Sequence, residues 1–471
     1  MRLMHSFAFG LLMVLASCGP APAPVPAEKP DEGGSVDKEP IVVRAKETPS
    51  SEWADYPSLT VDRIPGFTPG KTPETDKYGG IASLTYDATG WFRVQKIDGR
   101  WWMIDPLGHP FLAASVGEFM VGGSARQQQA LSTTFGTTPR WAAAEMTWIR
   151  SNGFTALGRG NSNTVRIIPN RIPYCVYAGP MTSYVRHLKN DLKYNIPTNT
   201  PIVFDSGYDE YLSSLSWLTQ YADDPYCIGI FADNELYWTD DLLKIYLERL
   251  PSGDKNRTTA QEWLDERKGR TGCKAADASS EDKDAFKAFC LDKYLSRTLA
   301  AIRSFDANHM FIGSRFYKWT SELASEAMMR VAGNYMDIVS VNYYTKWEPD
   351  QEALSRWESW SGRPLLISEF YVKGEDSGLP NNAGLGWIVP TQEDRGVFYE
   401  NFVIGLLKSG KCVAWQWFKY QDNDPEDATA DASNTDSNKG LVKWDFSRYD
   451  AMISHMKSVN AQIYNIANHY N

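Results

Sequence analysis

Cys227-Ile228-Gly229-Ile230-Phe231-Ala232-Asp233-Asn234-Glu235 is the stretch that decides the fold. An unbroken apolar run, too short for a helix, closes on two carboxylates and an amide. Strands buried on both faces read this way, and burial on both faces marks a parallel sheet covered by helices. Leu365-Leu366-Ile367-Ser368-Glu369-Phe370 repeats the form, again with a carboxylate at its end.

Outward from these two, further short runs alternate with helical patterns. The candidate strands are Phe111–Val116, Phe154–Leu157, Tyr174–Tyr177, Cys227–Ala232, Met310–Ser314, Ile338–Asn342, Leu365–Ser368 and Val413–Trp417. Between them, Leu291, Leu295, Leu299 and Ile302, or Phe398, Phe402 and Leu406, recur at helical spacing. Thr391-x-x-Asp394 has the form of a capping box, and Gly410 is placed to end the helix it opens. Eight such alternations predict an α/β fold of the (β/α)8 TIM-barrel type with loop insertions, the longest a charged one from Trp238 to Lys287. A doubly wound open sheet is disfavoured, because no Gly-rich dinucleotide loop follows the first strand. Before the barrel, Phe92–Asp105 reads as a β-hairpin turning at Asp98-Gly99, a type I′ pair.

The chain has 471 residues, of which 48 are basic and 58 acidic, for a net charge of −10. Acidity argues against a nucleic-acid partner, whose phosphates demand a basic surface. Its 17 Trp, 24 Tyr and 20 Phe exceed ordinary core needs and suit stacking on sugars as well as packing.

Arg2 and His5 precede an apolar run from Phe7 to Ala16, the pattern of a signal peptide over residues 1–17. Leu15-Ala16-Ser17-Cys18 resembles the lipobox of bacterial lipoproteins, which implies lipidation at Cys18 and, with Gly19 following, the outer membrane. The lipid would be the chain's only membrane attachment. Residues 18–76, Pro-rich and then polar, read as a tether, leaving 77–471 for the barrel domain. Export would permit a disulfide between Cys273 and Cys290, whereas Cys175, Cys227 and Cys412 sit in apolar runs and read as buried thiols.

Several chemistries are excluded. The chain has no H-E-x-x-H, no Walker loop and no G-x-S-x-G. Its six His stand singly without metal-ligand spacing, so neither a metal nor a cofactor is expected. The acidic run Asp422–Asp436 reads as a solvated loop before it reads as a calcium site. Carboxylates at the C-terminal ends of strands four and seven remain. Barrel active sites lie on that face. Two carboxylates flanking a glycosidic bond serve as acid/base and nucleophile when about 5–5.5 Å apart.

Phe92-Arg93-Val94, Asp98-Gly99-Arg100-Trp101-Trp102, Gly229 to Leu236, Gly313-Ser314-Arg315-Phe316, Ile367-Ser368-Glu369-Phe370, Gln392-Glu393-Asp394-Arg395-Gly396 and Val413-Ala414-Trp415-Gln416-Trp417-Phe418 together resemble β-agarases of glycoside hydrolase family fifty. The resemblance implies retaining hydrolysis of a β-linked galactan such as agarose, with Glu235 as acid/base and Glu369 as nucleophile. It departs from the family pattern in three places. There is no room for an added N-terminal β-sandwich, Gly158-Arg159-Gly160-Asn161 stands where Gly-Asn-Trp is usual, and Gln416 replaces a His.

Around the pair, Asn234 is expected at the sugar 2-OH, with Tyr343 or Tyr344, and Arg315, as donors to Glu369. Trp415 is expected as the floor of the cleaved-sugar subsite ahead of a core position, and Gln416, facing the other way, is also a substrate-binding candidate. Trp387 is either a substrate clamp or a packed anchor of its loop, and Arg159 either touches substrate or forms a structural ion pair. The same machinery would serve another β-glycan (a galactoside, glucan or mannan). A non-catalytic glycan-binding lipoprotein is the reading from another class, against which both glutamates argue.

Overall fold

The computed structural model describes residues 38–430 and 435–471. The signal peptide and Cys18 lie outside the described residues. Eight parallel strands form the central sheet: β1 (Ala113–Val116), β2 (Ala156–Leu157), β3 (Tyr174–Tyr177), β4 (Cys227–Asn234), β5 (Met310–Arg315), β6 (Val339–Asn342), β7 (Leu365–Phe370) and β8 (Cys412–Trp417). Each pairs with its chain neighbour except β5 with β6, and β8 pairs with β1, Ala414 standing beside Ala113. A parallel bridge of Phe316 with Val341 joins β5 to β6 and closes the barrel. Helices follow the strands on the outside, except between β2 and β3, where a 3-10 turn over Asn163–Ile167 makes the crossover.

Strand alternation splits the core into two layers. Ala113, Ala156, Cys175, Phe231, Ile312, Ile338 and Leu366 point inward. Leu157, Val176, Ile230, Phe311, Val341, Ile367, Trp415 and Trp417 point outward to the helices. The hairpin Arg93–Ile97/Arg100–Ile104 turns at Asp98 and Gly99, both at positive φ as a type I′ turn requires. It brings Phe92 and Met103 into the inner layer, so it plugs the N-terminal mouth. The helix Gln392–Ser409 opens on the Thr391/Asp394 capping box and ends at Gly410 with φ +64°. The Trp238–Lys287 insertion is mostly helical, with Leu242–Arg249, Lys255–Lys268 and the start of Ser280–Phe305.

Two expectations are corrected. Residues 38–76 are not a tether. Ile41–Ala45 and Ala54–Ser58 pair antiparallel, and Val43 and Ala45 are wholly buried. Lys46 exchanges two backbone hydrogen bonds with Ile388, while the Val61 N–H donates to Glu400 Oε2 at 2.8 Å. The segment looked too polar to fold because each five-residue strand buries only alternate side chains against a barrel already present. Cys273 and Cys290, expected as a disulfide, are separate buried thiols. Cys273 Sγ is turned to the Arg270 carbonyl in a loop, whereas Cys290 lies within the helix Ser280–Phe305 in the packed core.

Candidate active site

Strands β4 and β7 end at the same mouth of the barrel and deliver their carboxylates into one cavity of about 200 Å³. Arg159, Asn234, Glu235, Tyr344, Glu369 and Tyr371 line it, together with Phe418, Lys439 and the loop residues Gly384 and Leu385. Glu235 leaves β4 at φ +48°, a left-handed conformation that non-glycine residues seldom adopt. Its N–H donates to the Arg315 carbonyl at 3.1 Å, which holds that turn. Asp233, buried just before it, accepts from the N–H groups of Met181 and Thr182 at 3.2 and 2.8 Å and from the Tyr294 hydroxyl at 2.7 Å. The end of β4 is thereby tied to the helix after β3.

The two carboxylates have different neighbours. Arg315 Nη2 donates to Glu369 Oε1 at 2.6 Å, and the Tyr344 hydroxyl donates to Oε2. Glu235 Oε1 receives one neutral donor, Asn342 Nδ2, at 2.7 Å. Burial, and then the charge of Glu369, push the Glu235 carboxyl up from its ordinary value; Asn342, Arg315 and Arg159 pull weakly the other way. One carboxylate therefore favours holding a proton while the other is gripped by a cation. Two carboxyl groups whose surroundings push their proton affinities apart can divide acid and base roles between them.

Asn234, Tyr344, Arg315 and Arg159 meet at the site as anticipated. Arg159 forms the ion pair, with Glu118, and also lines the cavity. Burial, with Arg315 nearby, lowers its pKa. Four expected residues are elsewhere. Trp415 is fully buried on the outer face of β8, its indole N–H donating to the Tyr399 hydroxyl at 3.2 Å; alternation sends it to the helices. Gln416 faces inward but lies beneath the cavity, where its Oε1 accepts from the Arg159 N–H at 3.4 Å. A Cβ on Gly158 would stand 2.4 Å from that oxygen, so glycine is what lets Gln416 reach it. Tyr343 points outward against Phe402 and Trp319, and its hydroxyl accepts from the Asp350 N–H. Trp387 packs edge-on against Tyr56 and Trp347, anchoring the loop rather than clamping a ligand.

Asn342, Tyr371, Phe418 and Lys439 were missed. Asn342 was findable, because counting by twos from the inward Ile338 reaches it. It donates to both Glu235 and Asn234 and accepts from the Ser368 hydroxyl at 2.8 Å, linking the ends of β4, β6 and β7. Phe418 and Lys439 come from irregular loops and carry no periodic signal.

The chain matches a protein named BpGH50, with a TM-score of 0.81 and 25% identity over 96% of this chain and all of that one. The chain is GH50-like. No family model matches it. The solved structures of an agarase, AgWH50C, and of an exo-β-agarase share the fold, each at a TM-score of 0.70, with 21% and 19% identity; each match covers 84% of the GH50-like chain and 67% and 68% of those chains. Among curated proteins it is 22% identical to β-agarase B of Vibrio sp. (strain JT0107) over 83% of its own length, and 26% identical to β-agarase A of the same strain over 51%. It spans 50% of the first and 27% of the second.

Proposed function

We propose that the chain is a retaining glycoside hydrolase that cleaves a β-linked galactan of the agarose kind. The observation that carries this reading is the pairing of Glu235 and Glu369 in one cavity with opposite surroundings. Glu369 attacks the anomeric carbon while Glu235 protonates the departing oxygen; Glu235 then draws a proton from water, which releases the sugar from Glu369. Asn234, held by Asn342 at 3.1 Å, is placed to bond the sugar 2-OH, a contact that tightens in the transition state. Tyr371 and Phe418 offer the apolar ring faces that Trp415 does not.

The substrate class rests on the relatives' names, two β-agarases and an exo-β-agarase. Export and lipidation at Cys18, with outer-membrane placement, rest on the first nineteen residues; no described helix is long and apolar enough to cross a membrane. Replacing Glu369 by Ala tests the chemistry. Turnover of agarose oligosaccharides should vanish and return with azide as an α-glycosyl azide. Unchanged turnover would sink the assignment.

A further inference from the structure

At the opposite, N-terminal mouth of the barrel, three ligand-type side chains meet that hydrolysis does not use: Asp76, Asp105 and His109. Asp105 and His109 flank the turn between Arg100–Ile104 and Pro110–Phe111. Asp76 Oδ1 accepts from the N–H groups of Tyr78, Gly79 and Gly80 at 2.8, 2.9 and 3.0 Å. Asp105 Oδ1 accepts from those of Leu107 and His109 at 2.8 and 3.0 Å. One oxygen of each carboxylate is thereby fixed. The second oxygens converge on one imidazole nitrogen, with Asp76 Oδ2 at 3.1 Å and Asp105 Oδ2 at 3.9 Å from His109 Nδ1.

Asp105 Oδ2 is the telling atom. The side chain is wholly buried, and that oxygen has no hydrogen-bond partner. Gly80 closes over it so tightly that a Cβ there would stand 2.2 Å away. A buried carboxylate oxygen without a donor, facing a second carboxylate, calls for a cation.

We propose that Asp76 Oδ2, Asp105 Oδ2 and His109 Nδ1 bind one divalent transition-metal ion of the zinc or manganese kind, a structural staple beneath the barrel. Donors about 2.1 Å from a common centre stand about 3.0 Å apart at a right angle and about 3.4 Å apart in a tetrahedron. The 3.1 Å separation falls in that range, and the 3.9 Å one enters it with a shift of about 0.5 Å in Asp105. The nitrogen donor disfavours calcium and magnesium, which prefer all-oxygen cages. An adjoining cavity of about 310 Å³, lined in part by Asp76, Tyr78 and Gly79, opens a path for the ion and its water. The ion would fasten the segment around Asp76 to the lead-in of β1. The His109 position was passed over in the sequence because one ligand lies 33 residues upstream.

The test uses the purified chain, stripped by a chelator and dialysed, then titrated with Zn2+, Mn2+ or Ca2+. Wild type should bind one Zn2+ or Mn2+ per chain and gain at least about 3 °C in Tm at a hundredfold excess over Kd, with no such response to Ca2+. Asp105→Asn and His109→Gln should lose that response. Spin-echo modulation of the Mn2+-loaded wild type should show one bound imidazole nitrogen, a reading that needs no variant. Failure of wild type to bind, binding retained in both variants, or no nitrogen signal would overturn the proposal. So would an Asp105→Asn chain more stable than a zinc-indifferent wild type at pH 8, which would mean that the carboxylates share a proton instead.

Discussion

Asn342 Nδ2 lies 2.7 Å from Glu235 Oε1, and it is the neutral donor that keeps this carboxylate's proton affinity from rising further. A hydrogen bond to a carboxylate favours the charged form. In Asn342→Leu, burial and Glu369 act unopposed by it, so the basic limb of the kcat/KM profile moves to higher pH. The rate should fall about 10- to 100-fold, because Asn234 loses the same anchor. A basic limb that moves down would contradict this assignment.

Glu235 also sets a stability cost. Its pKa is raised in the folded chain, so the folded state holds more protons than the unfolded one between the two values. Stability is therefore lost as pH rises through that window, and the deficit persists above it. Glu235→Gln keeps the Asn342 hydrogen bond and removes the charge, so it should melt higher than wild type at pH 7–8. The gain should disappear below the unfolded value of about 4.3. Equal melting temperatures at both pH values would refute it.

Trp415 supports the barrel wall rather than the sugar. Trp415→Ala should cost about 3–5 kcal/mol in denaturant unfolding, and Trp415→Phe less, with KM for oligosaccharides unaltered in the latter. A KM raised tenfold at unchanged stability would return the residue to the subsite.

The five cysteines from Cys175 onward are free and buried. Thiol titration should find them unreactive in the native chain and all five reactive after denaturation. Dithiothreitol should leave Tm unchanged. A reductant-sensitive Tm, with two thiols missing, would restore the Cys273–Cys290 bridge.

Most of the barrel was legible because parallel strands must bury both faces, which leaves unbroken apolar runs ending in polar residues at the active face. Glu235, Glu369, Asn234 and Arg315 sit at those ends. The reading failed where a choice of face was needed. Trp415 and Gln416, or Tyr343 and Tyr344, are adjacent, and only the phase fixed by Ala414 or Ile338 tells inward from outward. The Ile41–Ser58 hairpin was missed for a different reason. Its few buried side chains gain their partners, such as the Trp347 indole that donates to Ser58 Oγ, from hundreds of residues away.

The anomer first released distinguishes retention from inversion. Proton NMR of fresh hydrolysate from agarose oligosaccharides should show the β-anomer first, with the α-anomer growing only by mutarotation. Initial release of the α-anomer, or no release of sugar at all, would contradict it.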